Sequence, residues 1–348
     1  MLDQDKERVS YNALNLSLES NHRELKKLKE KNGSWEKSWA AYSHINPTSL
    51  DPEKEFEKLA QKNIHLLLLE DEDFPNLLKE IPWPPHGIYL LGQKEIPNQN
   101  LLSIVGTRKA TSAGKEIARS FAKKLTETGF TIVSGLALGI DTESHKGALE
   151  SQKTTLAVIA TGLDSIYPKI NTELAKEILA QNGAIISEYP LGSPALPHRF
   201  LERNRIVSGL SQGTLIIEAP ERSGSLATAR FALDQNREVF VIPGPITHPN
   251  FKGSNQLIRQ GATLITSPEE ILEVLAPNLI AQSKSGKIPS DVSIEEKTIL
   301  EVLLKSGKPV NIDKIAELTN LNAKIINQNL SFLVMKDLIK ETESGYSI

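Results

Sequence analysis

The sequence predicts an α/β protein built on a doubly wound, mostly parallel sheet, flanked by an N-terminal helical domain and a C-terminal winged helix. Three observations carry that reading. Between residues 101 and 275, short β-rich apolar runs alternate with segments whose apolar residues recur at helical spacing. Glycine and hydroxyl residues close most of the apolar runs, as strand-to-helix turns require. Each pair of successive runs is also separated by enough chain for a crossover helix, which makes neighbouring strands parallel.

Leu101 to Val105 is a run of strand length, broken by Gly106-Thr107-Arg108. Ser112 to Thr126 then reads as a helix through Ile117, Ala118, Phe121, Ala122 and Leu125, stopped by Gly129. Phe130 to Val133 is the second strand, ending in a second glycine loop, Ser134 to Gly139. The same grammar continues with a strand Thr155 to Ala160, the segment TGLDSIYPKIN, a helix Thr172 to Leu179 and a strand Ala184 to Ser187. A loop turning into a helix follows (EYPLGSPALPHRFLERNRIVSGLS), then a strand Thr214 to Glu218, the loop APERSGS, a helix Leu226 to Asp234 and a strand Glu238 to Ile242.

Ahead of this block, Leu14, Leu18, Leu25 and Leu28 sit at helical spacing and Gly33 closes the segment. Trp35 and Trp39 are four apart on one helix face, where core packing is the simpler use for them. Asp51-Pro52 opens another short helix, Ile64 to Leu69 is a brief strand, and residues 71–92 form a Pro-rich connector that packs on the next domain. After it, residues 277–290 have linker composition. Helices from Ile294 to Leu304, Ile312 to Leu318 and Ala323 to Met335, with a closing hairpin, are the plan of a winged helix-turn-helix. The expected domains are therefore 1–95, 96–276 and 291–348, joined by 277–290.

Lys and Arg number 40 against 43 Asp and Glu, a net charge of −3, so any nucleic-acid site must be a local basic surface. Residues 291–348 hold 7 Lys against 9 acidic residues, which suits protein contact as well as DNA. The absence of cysteine excludes disulfide and thiolate chemistry and fits a reducing cytoplasm. The seven His residues form no ligand pair, so no metal is expected, and the acidic, polar first ten residues do not read as a signal peptide. No apolar run has membrane-spanning length.

In a doubly wound sheet the loops after the strand ends collect along one rim. Here that rim gathers Gly106, Thr107 and Arg108, then Ser134 and Gly135, then Tyr167 and Lys169, then Ser223, Gly224 and Ser225. Backbone amides near helix N-termini suit phosphate, and several such loops in a row suit a chain of phosphates. HRFLERNR adds Arg199, Arg203 and Arg205 beside Phe200, a combination fitted to single-stranded nucleic acid. The alternative is that Arg203 or Arg205 pairs with Glu188, Glu202 or Glu218 to hold the loop. A dehydrogenase is disfavoured because VGTRKATSAG is not GxGxxG. A hydrolase would draw on Asp141, Glu188 or Glu218, none with an evident partner, and Asp141 reads more simply as a helix N-cap.

The blocks VGTRKATSAG, SGLALGID, TGLDSIYPKIN, SEYP, RFLERNRIVSGLS, IIEAPERSGSLATARFA, VFVIPG and GSNQLIRQGA, in that order, resemble the DNA-processing protein A family (DprA, also called Smf). The resemblance implies an extended Rossmann-like domain with an N-terminal SAM-like helical domain and a C-terminal winged helix. It further implies a non-enzymatic, cofactor-free homodimer of natural transformation that binds and protects incoming single-stranded DNA and assists loading of the recombinase RecA. Carried over by motif, Arg108, Lys169, Arg203 and Arg205 would meet phosphates; Arg199 stands as a candidate on the HRFLERNR run alone. Gly106, Thr107, Ser112, Ser134, Gly135, Ser223, Gly224, Ser225 and Thr228 would line the pocket. The enzymatic rival in the same superfamily is a nucleotide phosphoribohydrolase of the Lonely-guy type, whose PGGxGTxxE loop carries a carboxylate. The matching segment here, RSGSLATARFA, has Ala and Arg instead.

Overall fold

The computed structural model describes residues 3–277, 292–306, 308–336, 338–342 and 344–347. The chain divides into two compact units, Met1–Ile271 and Leu272–Ile348.

In the first unit the helices α1 (Asp3–Ser17), α2 (His22–Asn32), α3 (Trp35–Ile45) and α4 (Pro52–Gln61) come first. The helical segment read through Leu14 and Leu28 is two helices, because the chain turns at Leu18–Asn21 and Asn21 caps α2. Gly33 ends α2 at φ +83°, a backbone state that glycine reaches without strain. Trp35 is fully buried against Tyr11, edge to face at 4.9 Å, as core packing requires.

The sheet follows, with β1 (Ile64–Leu68), α5 (Asn76–Lys79), β2 (Gly87–Gly92), β3 (Leu101–Val105), α6 (Ser112–Glu127), β4 (Thr131–Ser134) and α7 (Ile140–Glu150). Then come β5 (Thr155–Ile159), α8 (Thr172–Ala180), β6 (Ala184–Ser187), α9 (Pro197–Gly209), β7 (Gly213–Ile216), α10 (Gly224–Asp234), β8 (Glu238–Val241), α11 (Lys252–Arg259), β9 (Thr263–Leu264) and α12 (Pro268–Leu275). Among the described residues the sheet has nine strands in the order β1-β2-β6-β5-β4-β3-β7-β8-β9. From β6 to β9 all pairs are parallel, whereas β1–β2 and β2–β6 are antiparallel. The α/β class and the mostly parallel sheet are thus as the sequence predicts. The connector over residues 71–92 differs from its reading. It ends in β2, which inserts between β1 and β6.

Strand periodicity sorts the apolar residues into two cores. Ile88 and Leu90 of β2 and Leu156 and Val158 of β5 face the layer under α9 and α10. Tyr89 of β2 and Ala157 and Ile159 of β5 face the opposite layer, which Leu14, Leu25 and Trp35 complete. The N-terminal helices therefore cover one face of the sheet rather than standing apart from it.

The second unit holds helices Ile294–Ser306, Ile312–Thr319 and Ala323–Met335 and a hairpin, Lys340–Thr342 against Gly345–Ser347. Val310 bridges Tyr346, and the unit has its own core around Ile299, Leu303, Ile315, Ile326 and Leu330. The linker read over 277–290 lies, beyond Pro277, outside the described residues. Among the described residues no helix is long and apolar enough to cross a membrane.

His145 of α7 yields a pH prediction. It is fully buried, its Nδ1 lies 2.8 Å from Thr155 Oγ1, and burial, reinforced by the Arg203 charge, lowers its pKa to about 3. The unfolded chain protonates this residue near pH 6.5. Between those limits the unfolded state binds the extra proton, so stability falls as pH falls through the window and is flat above it. Between pH 7 and pH 5 this residue should remove on the order of 2 kcal/mol. Denaturant unfolding of wild type and His145→Asn at both pH values checks it: the variant should lose less stability than wild type over that interval.

Candidate functional site

Winding of the sheet reverses between β3 and β7, where the chain's two halves diverge. Open α/β sheets bind ligands outside the strand C-termini at such a reversal. A cavity of about 510 Å³ opens there, bounded by the loops after β3, β4, β5 and β7 and by the first half of α9.

The loop after β3 is tied down by the Thr107 amide, which donates to the Glu218 carbonyl at 2.7 Å. Glu218 is itself buried; its carboxylate accepts from the Thr111 amide at 3.1 Å, the Thr111 hydroxyl and Asn250 Nδ2 at 2.8 Å. That fixes the turn into α6 and leaves Arg108 projecting, exposed and without an ion pair among the described residues. Its guanidinium lies 5.2 Å over the Phe200 ring, and Phe200 meets Tyr167 at 5.5 Å between centroids. A cation and two rings thus form one wall.

Arg203 lies on the floor, 3% exposed, donating from Nη1 to the Val158 carbonyl while its Nε has no partner. Burial lowers its pKa to about 10, an effect the Asp141 charge opposes, so it remains a cation at neutral pH. Gly135 is required beside it: a Cβ there would overlap the guanidinium. Asp141 does not cap α7, which starts after Gly139. Its Oδ2 reaches back to accept from the amides of Gly135 at 3.1 Å and Ala137 at 3.4 Å, shaping the loop after β4. Burial raises its pKa and the Arg203 charge opposes the rise. On the remaining side, Ser223 caps α10, and the positive end of that helix faces the space with Arg222 and Ser225 beside it. Asp141 is the cavity's carboxylate, against the guanidinium groups of Arg108, Arg203 and Arg222.

Of the residues expected from sequence, the cavity brings together Gly106, Thr107, Arg108, Gly135, Arg203, Ser223, Gly224, Ser225 and Thr228. The others lie elsewhere. Ser134 is buried and donates to the Ile104 carbonyl at 2.7 Å, a strand-to-strand tie. Ser112 is exposed at the start of α6, and Lys169 is exposed two residues past Tyr167 without lining the cavity. Arg205 is corrected outright. It is 1% exposed, Nη2 donates to both Glu188 oxygens at 2.7 and 2.9 Å, and its Cζ sits 4.3 Å over Trp83. Arg199 is likewise spent, donating to the Pro194 and Glu19 carbonyls at 3.2 Å each and stacking 4.7 Å over Tyr189. Arg222 and Asn204 also line the cavity, beyond the residues expected from sequence. The signal for Arg222 was its place in the Ser223-Gly224-Ser225 loop. Among the described residues no cluster of His, Asp and Glu could hold a metal ion.

Residues 65–276, which hold every strand of this sheet but the start of β1, match the family model described as DNA recombination-mediator protein A. The chain belongs to that family. Its similarity to DprA and Smf proteins is extensive: it is 45% identical over 217 residues to Protein Smf of Escherichia coli K12, covering 62% of this chain. That alignment covers only 58% of the relative's own length. Among solved structures, DNA processing protein A of Streptococcus pneumoniae superposes with a TM-score of 0.63 at 34% identity, covering 69% of this chain and 82% of that one. A DNA processing protein A of Helicobacter pylori, solved to describe its single-stranded DNA binding mode, gives 0.56 at 32% identity, covering 62% of this chain and 96% of that one. These DprA structures share the α/β architecture on which the cavity is built.

Proposed function

We propose that this DprA-family protein is a recombination mediator that grips the backbone of single-stranded DNA in the cavity between the β3 and β7 loops and breaks no bond in it. One observation carries the reading: three guanidinium groups and the N-terminus of α10 surround a space walled by Phe200 and Tyr167. Phosphates meet donors there and bases meet rings. The single-strand binding mode described for the Helicobacter pylori relative supports the same assignment. In this reading residues 96–276 carry the DNA-binding site, residues 1–95 support it with the helices α1–α4 and the strands β1 and β2, and residues 291–348 form a winged-helix flank. The protein works in the cytoplasm as a homodimer, protects DNA taken up in natural transformation, and helps to load RecA. Lys169 extends the contact from the turn beside Tyr167.

The phosphoribohydrolase alternative needs a carboxylate free to act on a ribosyl bond. Asp141 is instead committed to the Gly135 and Ala137 amides, and the first turns of α10 supply Ala227 and Arg230 rather than an acid. Two measurements test the proposal. The logarithm of single-strand affinity should fall linearly with that of salt concentration, with a slope of about −2 or steeper, since each phosphate contact contributes about −0.7. A flat salt response contradicts it, and release of free base from a nucleoside monophosphate, followed by chromatography, would favour the enzyme.

A further inference from the structure

We infer that the polynucleotide track does not end in this cavity but continues past Arg108 into a second groove, where Lys109, Lys115 and Lys146 take further phosphates. This inference rests on the reading above and deepens it. A depression of about 510 Å³ lies on the other side of Arg108, which lines both spaces. Its floor is the contact between the loops after β3 and β4. Gly139, at φ +79°, is pressed so closely on the Thr107 and Arg108 carbonyls that a Cβ there would overlap them. A strand held at Arg108 therefore has a continuous surface on both sides of that residue.

The charge on the groove favours an anion once its internal pairs are taken out. Lys109 and Lys115 are exposed and form no ion pair among the described residues. Of the acidic residues, Glu143 is met by Arg119 at 3.6 Å and by Lys146 at 3.3 Å, and Glu173 by Lys176 at 2.8 Å, which leaves Glu177. Lys146 is 42% exposed, and Glu143, at 15%, keeps Arg119 at 3.6 Å when Lys146 turns away, so a phosphate can compete for Lys146. The groove also accounts for two otherwise unexplained exposed apolar side chains, Leu138 at 42% and Ile170 at 77%, which offer bases a surface out of water.

The test compares oligothymidylates of about six and about sixteen nucleotides, lengths that bracket the track a single domain engages. Lys109→Gln/Lys115→Gln/Lys146→Gln should bind the short strand as wild type does. It should bind the long strand at least about tenfold more weakly, with the salt slope reduced by about 2, near 0.7 for each lost contact. Wild-type affinity for both lengths would overturn the inference and leave the cavity assignment standing. Failure of the wild-type protein itself to bind either strand would instead overturn the functional reading. The substituted side chains lie at the surface, and an unchanged melting temperature together with retained short-strand binding excludes misfolding. A variant weakened equally on both lengths would also contradict a separate second groove.

Discussion

Glu188→Ala should destabilise the first unit by about 3–5 kcal/mol, because it strands the Arg205 guanidinium without a counter-charge in the core. For a unit of this size the melting temperature should drop by roughly 10 °C. The pair is held from every side: Glu188 accepts two hydrogen bonds from Nη2, Trp83 lies under the guanidinium, and Gln235 Nε2 donates to the Arg205 carbonyl at 2.9 Å. Glu188 Oε1 and Arg205 Nη2 have almost no solvent with which to replace each other, their side chains being 9% and 1% exposed. Removing both charges together, in Glu188→Met/Arg205→Met, should restore most of the loss, since two buried ions cost more to desolvate than their apolar substitutes. Calorimetry on wild type, Glu188→Met, Arg205→Met and the double variant completes the cycle. A single-variant loss below about 1 kcal/mol would mean that Arg205 finds water or another partner, and would reopen it as a DNA contact.

The second large effect is on binding. Arg108→Ala/Arg222→Ala should weaken single-strand affinity by about 10- to 100-fold at moderate salt, the loss of one or two charge-assisted contacts to phosphate. Both side chains are exposed, so folding stability should stay within about 0.5 kcal/mol of wild type. Base composition of the oligonucleotide should matter little, because phosphate contacts position a strand without reading it. Fluorescence anisotropy with oligothymidylate and oligoadenylate measures both points. Equal affinity of the variant and wild type would move the site off this cavity.

Much of this was legible in the residues. The alternation of β-rich runs and helical spacing placed β3 to β8 within a residue or two, because parallel strands buried on both faces leave a continuous apolar signature. β2 was obscured by its setting: Pro82, Pro84 and Pro85 precede it, and a proline cluster signals loop rather than strand. Its antiparallel pairing to β6 is a long-range contact with no local signal. The glycine–hydroxyl loops pointed to the cavity, and nine of the fourteen expected residues line it. Helix geometry alone separates two of the arginines. On a helix, residues two apart stand about 200° round the axis, so Arg203 and Arg205 cannot face one ligand. Arg199, in contrast, shares a stripe with Arg203. Only the docking of Glu19 and Tyr189 against the start of α9 decides that its head turns away.

Photocrosslinking addresses the central claim most directly. A single strand carrying a photoreactive pyrimidine is bound to the intact protein at low salt, irradiated, digested and mapped. The attachment points should fall on the peptides bearing Tyr167 and Phe200, and should disappear in Arg108→Ala/Arg222→Ala. Crosslinks confined to residues 291–348, with none around the β3 and β7 loops, would contradict the account.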